Sequence, residues 1–224
     1  MSKSAFLRFA GIAAFLTAIT TLAIHFIGFQ VDNPEDRLLL ASNPSYILHK
    51  WMIIVHCLLV ILSMFGVATI LKVRNAGLAA LGALFFSVFG IAETSRMLGV
   101  LAYLNPLRIT YLESGDEAIR QILQLQMDSF DLSANVLFLL FILSFALGNL
   151  FFGLGLMGTK GADFWMGMGF LLWAMLTFLA LGNDFLGNEI LERVVELNNK
   201  FYQPAMRGFI GWWLWTRSSR PILS

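Results

Sequence analysis

His25, His56, Glu93 and Arg96 each stand inside an apolar stretch long enough to cross a lipid bilayer. An ionisable side chain at that depth costs roughly 2.5–3.5 kcal/mol on insertion scales, so it faces a protein interior or a watery cavity rather than lipid. The residue types define the chemistry. Glu93 is a carboxylate able to hold or pass a proton, and Arg96, three residues on, can neutralise it or grip an anion. His56 titrates near neutrality, with a reference pKa of about 6.5, which suits pH-dependent work. Glu93 and Arg96 fit a packed structural ion pair equally well, and from sequence both readings stay open.

Other polar residues fall at helical spacing around these four. His49 and His56 are seven apart, two turns along one face, and Thr17, Thr21 and His25 form a stripe on the first stretch. Asp128, Asp131 and Asn135 follow three-and-four spacing, with Asn149 on nearly the same face, and Asn183 and Asp184 close the fifth stretch. Burying these faces together satisfies their hydrogen bonds better than lipid does, which predicts a hydrated cavity lined by Glu93, Arg96, His56 and His25, with Asp131 and Asn135 at its entrance. A metal site drawn from His25, His56, Glu93 and Asp131 is chemically sensible but lacks any HisXXXHis or GluXXHis spacing. A bis-histidine haem needs facing ligands at matching depth, which only His25 and His49, near the surface, approach. No metal or haem cofactor is therefore expected. No serine-nucleophile motif or glycine-rich phosphate loop is present, and the absence of basic patches excludes nucleic acid as a partner.

The elements that must position these residues follow from composition. Of 224 residues, 58% are hydrophobic and 13% charged, with a mean hydropathy of +0.76, a balance that marks an integral membrane protein. The expected fold is an all-α, polytopic membrane bundle of six spans, at about 5–28, 47–71, 77–104, 132–157, 164–182 and a short sixth at 202–216. Tight turns at 72–75 and 158–163 make two helical hairpins, and amphipathic helices are expected outside the bilayer at about 115–130 and 188–200. In the first of these, Ile119, Ile122, Leu123 and Met127 share one face. Asn43 or Ser45 caps the second span. Stripes of small residues, Ala10/Ala14/Ala18, Ala83/Ser87/Gly90 and Gly148/Gly155, allow close helix approach, and Trp51, Trp165, Trp212, Trp213 and Trp215 fall near span ends at headgroup level. The single cysteine, Cys57, precludes an intrachain disulfide.

Six passes bring Lys3, Arg8, Lys72, Arg74, Lys160, Arg217 and Arg220 to one side, which the positive-inside rule makes cytoplasmic, with both termini. Counted from the opposite ends of their spans at about 1.5 Å per residue, His25 lies roughly 5 Å deep, Arg96 about 12 Å, His56 about 13 Å and Glu93 about 16 Å. The polar groups thus occupy the outer half of the bundle.

The run AsnProSerTyrIleLeu at 43–48, the LysValArgAsn turn, the midplane acid of the third span and the later TyrGlnProAlaMetArgGlyPheIleGlyTrpTrpLeu resemble an uncharacterised bacterial family of six-span proteins, known as a domain of unknown function. The resemblance implies six helices in a bacterial inner membrane and brings no catalytic residues. The functional expectation is non-enzymatic: binding or passage of a small molecule, a lipid headgroup or a proton. Two alternatives are a metal-dependent membrane enzyme acting on a lipid or small molecule, and an accessory subunit of a larger membrane complex. The small-residue stripes also suit a homo-oligomer.

Overall fold

The computed structural model describes residues 2–27, 33–186 and 189–219, and these are helical with no strand. In chain order the helices are α1 (Lys3–Phe26), the short α2 (Pro34–Leu39), α3 (Pro44–Leu71), α4 (Ala76–Gly99), α5 (Asn105–Glu113), α6 (Glu117–Leu156), α7 (Ala162–Leu186), α8 (Glu189–Leu197) and α9 (Gln203–Ser218). Five described helical runs are long and apolar enough to cross a membrane, the third being Ala76–Glu113. Their outward faces carry large apolar side chains such as Ile19, Leu58, Leu84, Ile91 and Val136, all exposed, which water would penalise and lipid accepts. The protein is a multi-pass membrane bundle.

Local chemistry accounts for the helix ends. Ser2 Oγ accepts from Ala5 N at 3.2 Å to open α1. Asn43, followed by Pro44 in the first turn, caps α3 by accepting from Ser45 N at 2.9 Å and Tyr46 N at 3.2 Å; Ser45 does not cap. Asn75 does the same for α4 and Asp116 for α6. After α6, Gly158 and Gly161 adopt φ of 78° and 64°, the left-handed conformation that lets the chain reverse in the tight turn to α7.

Two π-helical turns, Val100–Leu104 and Asn198–Tyr202, fuse helices that the sequence suggests are separate. Each is followed two residues on by a proline, Pro106 or Pro204. A proline has no N–H and its ring crowds the preceding turn; the wider π turn relieves that crowding and keeps the helix continuous. The helix that carries the third span therefore does not stop at 104 but runs on to Glu113. Likewise the expected outer helix at 188–200 and the short sixth span are one run, Glu189–Ser218. Alone, the 16 residues of α9 reach about 24 Å.

α3 pairs with α4 and α6 with α7, as two hairpins, while α1 lies between α3 and α9 and α4 lies along α6. One core runs through α1, α3, α4, α6, α7 and α9, including Ala10, Met64, Phe86, Phe152, Trp173 and Ile210. Small residues do admit close neighbours: a Cβ at Gly66 would sit 2.6 Å from Ala10 Cβ, and Gly90, Gly148 and Gly155 receive Ile61, Phe86 and Leu71. On the outer part of α6, Leu123 and Met127 are covered by neighbouring chain while Ile119 and Ile122 of the same face are exposed. One expectation needs correction. Trp213 is not at a headgroup surface but buried, donating from Nε1 to Asp163 Oδ1 at 2.9 Å.

Candidate functional site

Helices α1, α3, α4, α6, α7, α8 and α9 all contribute to one cavity of about 930 Å³. Its apolar wall is Phe138, Phe141, Ile142 and Phe145 of α6, with Phe89 of α4 and Ile53 of α3. These rings interlock: Phe89 stacks on Phe141 at 4.7 Å and touches Phe145 at 5.2 Å. The polar side chains that also line it include Glu93, Arg96, His56, Arg207, Asn198 and Gln203. Because α8 and the following π turn run directly into α9, they too reach the cavity, through Val195, Glu196, Asn199 and Lys200.

Glu93 is 4% exposed, and Arg96 grips it with two parallel bonds, Nε to Oε2 at 2.8 Å and Nη2 to Oε1 at 2.7 Å. That fork matches the planar guanidinium to both carboxylate oxygens. The Arg96 guanidinium also lies over the Phe138 ring, 5.2 Å from its centroid. His56 Nδ1 stands 2.7 Å from Thr20 Oγ1, a hydroxyl on α1 one turn before Ile24. Cys57 is buried beside it. Arg207, on α9, is 3% exposed and has Trp173 beneath it, with 5.2 Å between the guanidinium carbon and the ring centroid. Glu196 and Lys200 form an ion pair one turn apart on the more exposed side of the cavity, and this hydrogen bond holds the Glu196 carboxyl below its usual range.

The four ionisable residues of the apolar stretches, His25, His56, Glu93 and Arg96, all line this one cavity. Asp131 and Asn135 do not. Asp131 lies two turns before Phe138 on the same face of α6, beyond the level of the lining, and both residues are exposed. His49 is buried outside the lining with Nε2 3.3 Å from the Ile24 carbonyl. Asn149 turns back on its own helix, donating to the Phe145 carbonyl at 2.8 Å. The side chains of Asn183, Asp184 and Glu189 lie outside the described residues. Among the described residues no three His, Cys, Asp or Glu side chains gather closely enough to hold a metal ion. Within the proposed set of His25, His56, Glu93 and Asp131, Asp131 stands apart and Glu93 is already engaged by Arg96.

Three residues escaped the sequence reading. Arg207 sits in the stretch treated as a short, doubtful span, where the rule used for the other ionisable residues was not applied. Thr20 carries no charge to flag it. Asp163 was read as part of a turn, yet it is 1% exposed and joins Arg74 at 2.7 Å, Arg217 and Trp213 at the end of the bundle opposite the polar cavity. Near it, Ser4 Oγ donates to the Ser218 carbonyl at 2.7 Å, so the two ends of the described chain meet there.

No protein-family model, curated protein or solved structure matches the chain. The chemistry has to come from the cavity itself.

Proposed function

We propose that the protein binds a small amphiphilic molecule or a lipid headgroup in this cavity, and is not itself an enzyme. One observation carries the reading: seven helices supply one cavity of about 930 Å³ lined by both aromatic and charged or polar side chains. Ligand sites are typically about 300–1,000 Å³, mostly apolar, with a few placed polar groups that set orientation. The closed Glu93–Arg96 fork shapes the polar lining, and His56, held by Thr20, is its hydrogen-bonding neighbour. The basic residues Arg8, Arg74 and Arg217 gather at the other end, which the positive-inside rule assigns to the cytoplasm together with both termini. The cavity then lies in the outer half of the membrane, which we take to be a bacterial inner membrane.

Mass spectrometry of protein purified in mild detergent tests this. A defined molecule is expected to accompany wild type and Leu139→Trp, whose side chain faces outward, and to be lost from Phe141→Trp, which fills the cavity, and from Glu93→Gln. The reading fails if Phe141→Trp, Glu93→Gln and His56→Ala all retain the same molecules as wild type and melt at the same temperature.

A further inference from the structure

The two described carboxylates on the cavity wall each have a cation of their own: Glu93 has Arg96, and Glu196 has Lys200. Arg207 has none. Its Nε and Nη1 are buried without a hydrogen-bond partner, and among the described residues no carboxylate pairs with it. A guanidinium stays charged at neutral pH, and dehydrating it is costly unless an opposite charge or several acceptors replace the water. Its neighbours do not supply that. The Trp173 ring offers a cation–π contact that offsets only part of the cost, and His56, within electrostatic reach, brings no negative charge. One turn away on the same helix face is Gln203, and Asn198 leaves its Oδ1 without a partner. A charged guanidinium and side-chain amides therefore line the same cavity as Phe89, Phe141 and Phe145.

We infer that Arg207 is the anion contact of the cavity, and that its ligand is an amphiphile with a carboxylate or phosphate head on an apolar chain. This rests on the binding function proposed above and names the chemistry of the ligand. The planar fork donates two parallel hydrogen bonds to an oxyanion, a geometry a hydroxyl or amine head does not reproduce. Arg96 has its charge met by Glu93 through Nε and Nη2, whereas among the described residues Arg207 has no carboxylate and keeps Nε and Nη1 without a partner. The interlocked phenylalanine rings give the chain an apolar wall, which a free inorganic anion would leave unused.

Equilibrium binding to delipidated protein in a neutral detergent tests the inference, with radiolabelled palmitate, phosphatidic acid, hexadecanol and inorganic phosphate as probes. Palmitate or phosphatidic acid should saturate one site per chain, the better of the two telling a fatty acid from a phospholipid source. Hexadecanol and phosphate should bind at least tenfold more weakly. Arg207→Met should weaken the anionic amphiphile roughly 10- to 100-fold and leave hexadecanol unchanged, as expected for loss of a charged hydrogen bond, with Arg207→Lys between. Melting of the delipidated protein separates this from a structural role. Arg207→Met removes an unpaired buried charge, so it should melt at or above wild type, whereas a residue that holds the fold together would lower the melting point. Equal palmitate affinity in wild type and Arg207→Met overturns the inference. So does hexadecanol binding as tightly as palmitate, which would still leave an amphiphile pocket standing. Phosphate binding as tightly as either amphiphile overturns the role of the chain. If no probe binds and Phe141→Trp leaves the co-purifying molecules unchanged, the binding function falls as well.

Discussion

Glu93 receives two hydrogen bonds from the single residue Arg96, so removing either partner leaves the other without its counter-charge in a largely buried position. Breaking a buried pair from one side costs about 3–5 kcal/mol, and replacing both members by apolar groups is often close to neutral. The Arg96 side chain is 25% exposed and can recover some hydration, which lowers the expected loss. Glu93→Gln should therefore destabilise the delipidated protein by about 1–3 kcal/mol, read as a fall in melting temperature. Adding Arg96→Met should restore most of it. Failure of the second substitution to restore stability would mean that Glu93 is held by more than its fork. The residues picked out by sequence and those that escaped it differ for a physical reason. His25, His56, Glu93 and Arg96 stand out because apolar neighbours on both sides make a charge improbable unless it is buried in protein. Arg207 has the same setting, between Met206 and Gly208, but sits in a helix too short to register as a span by itself. Asp131 and Asn135 share helix periodicity with the lining without sharing its depth, and periodicity alone does not say where along a helix the neighbouring passes stop.

At the scale of helices, the aromatic wall depends on how α4 and α6 lock together below it. Phe152 of α6 fits over Gly82 of α4, Phe86 of α4 fits over Gly148 of α6, and the two rings stack at 5.4 Å. A Cβ at Gly82 would lie 2.2 Å from Phe152 Cε1, and that ring is fully buried with Phe86 on one side and Phe170 at its edge, 5.7 Å away. It has nowhere to swing. Gly82→Val should cost about 1–3 kcal/mol through overpacking, measured as a lower melting temperature. Because Phe86 also touches Phe89 and Phe145, the displacement should propagate upward and weaken retention of the cavity ligand. A variant that melts normally would show that the seam gives way without strain. The sequence displays Gly148 as a small residue but not its reciprocal partner, since Gly82 falls one position from the Ala83/Ser87/Gly90 stripe. The π turns were hidden for a related reason. Asn105–Pro106 and Gln203–Pro204 look like helix breaks, and only the widened turn before each proline lets the helix pass through.

For the molecule as a whole, the two ends of the bundle are built differently. One end is tied by charge: Asp163, at the start of α7, accepts from Trp213 and pairs with Arg74 of the α3–α4 turn and Arg217 near the end of α9. The other end is opened by the cavity and carries the exposed Glu196. Asp163→Asn keeps an acceptor for Trp213 but leaves two arginines without their anion. Since both arginines are partly exposed, a loss of about 1–2 kcal/mol is expected, smaller at high salt. The same construction predicts the topology. If α9, joined through the π turn to α8, completes a sixth pass, then Ser2 and Ser219 face the same side as the turns at 72–75 and 158–161, opposite Gly115. Cys57 is buried, so the wild-type chain is a quiet background for a membrane-impermeant maleimide applied to intact cells. Gly115→Cys should label at once, and Val73→Cys, Lys160→Cys and Ser219→Cys only after the membrane is broken. Val73 and Ser219 labelling from opposite sides would reduce the bundle to five passes, with α9 packed in from the outer surface. The buried core formed by Ile210, Trp213 and Leu214 argues against that, because such a helix would have to enter the bundle and turn back while its last residues still reached Asp163 and Ser4 at the far end.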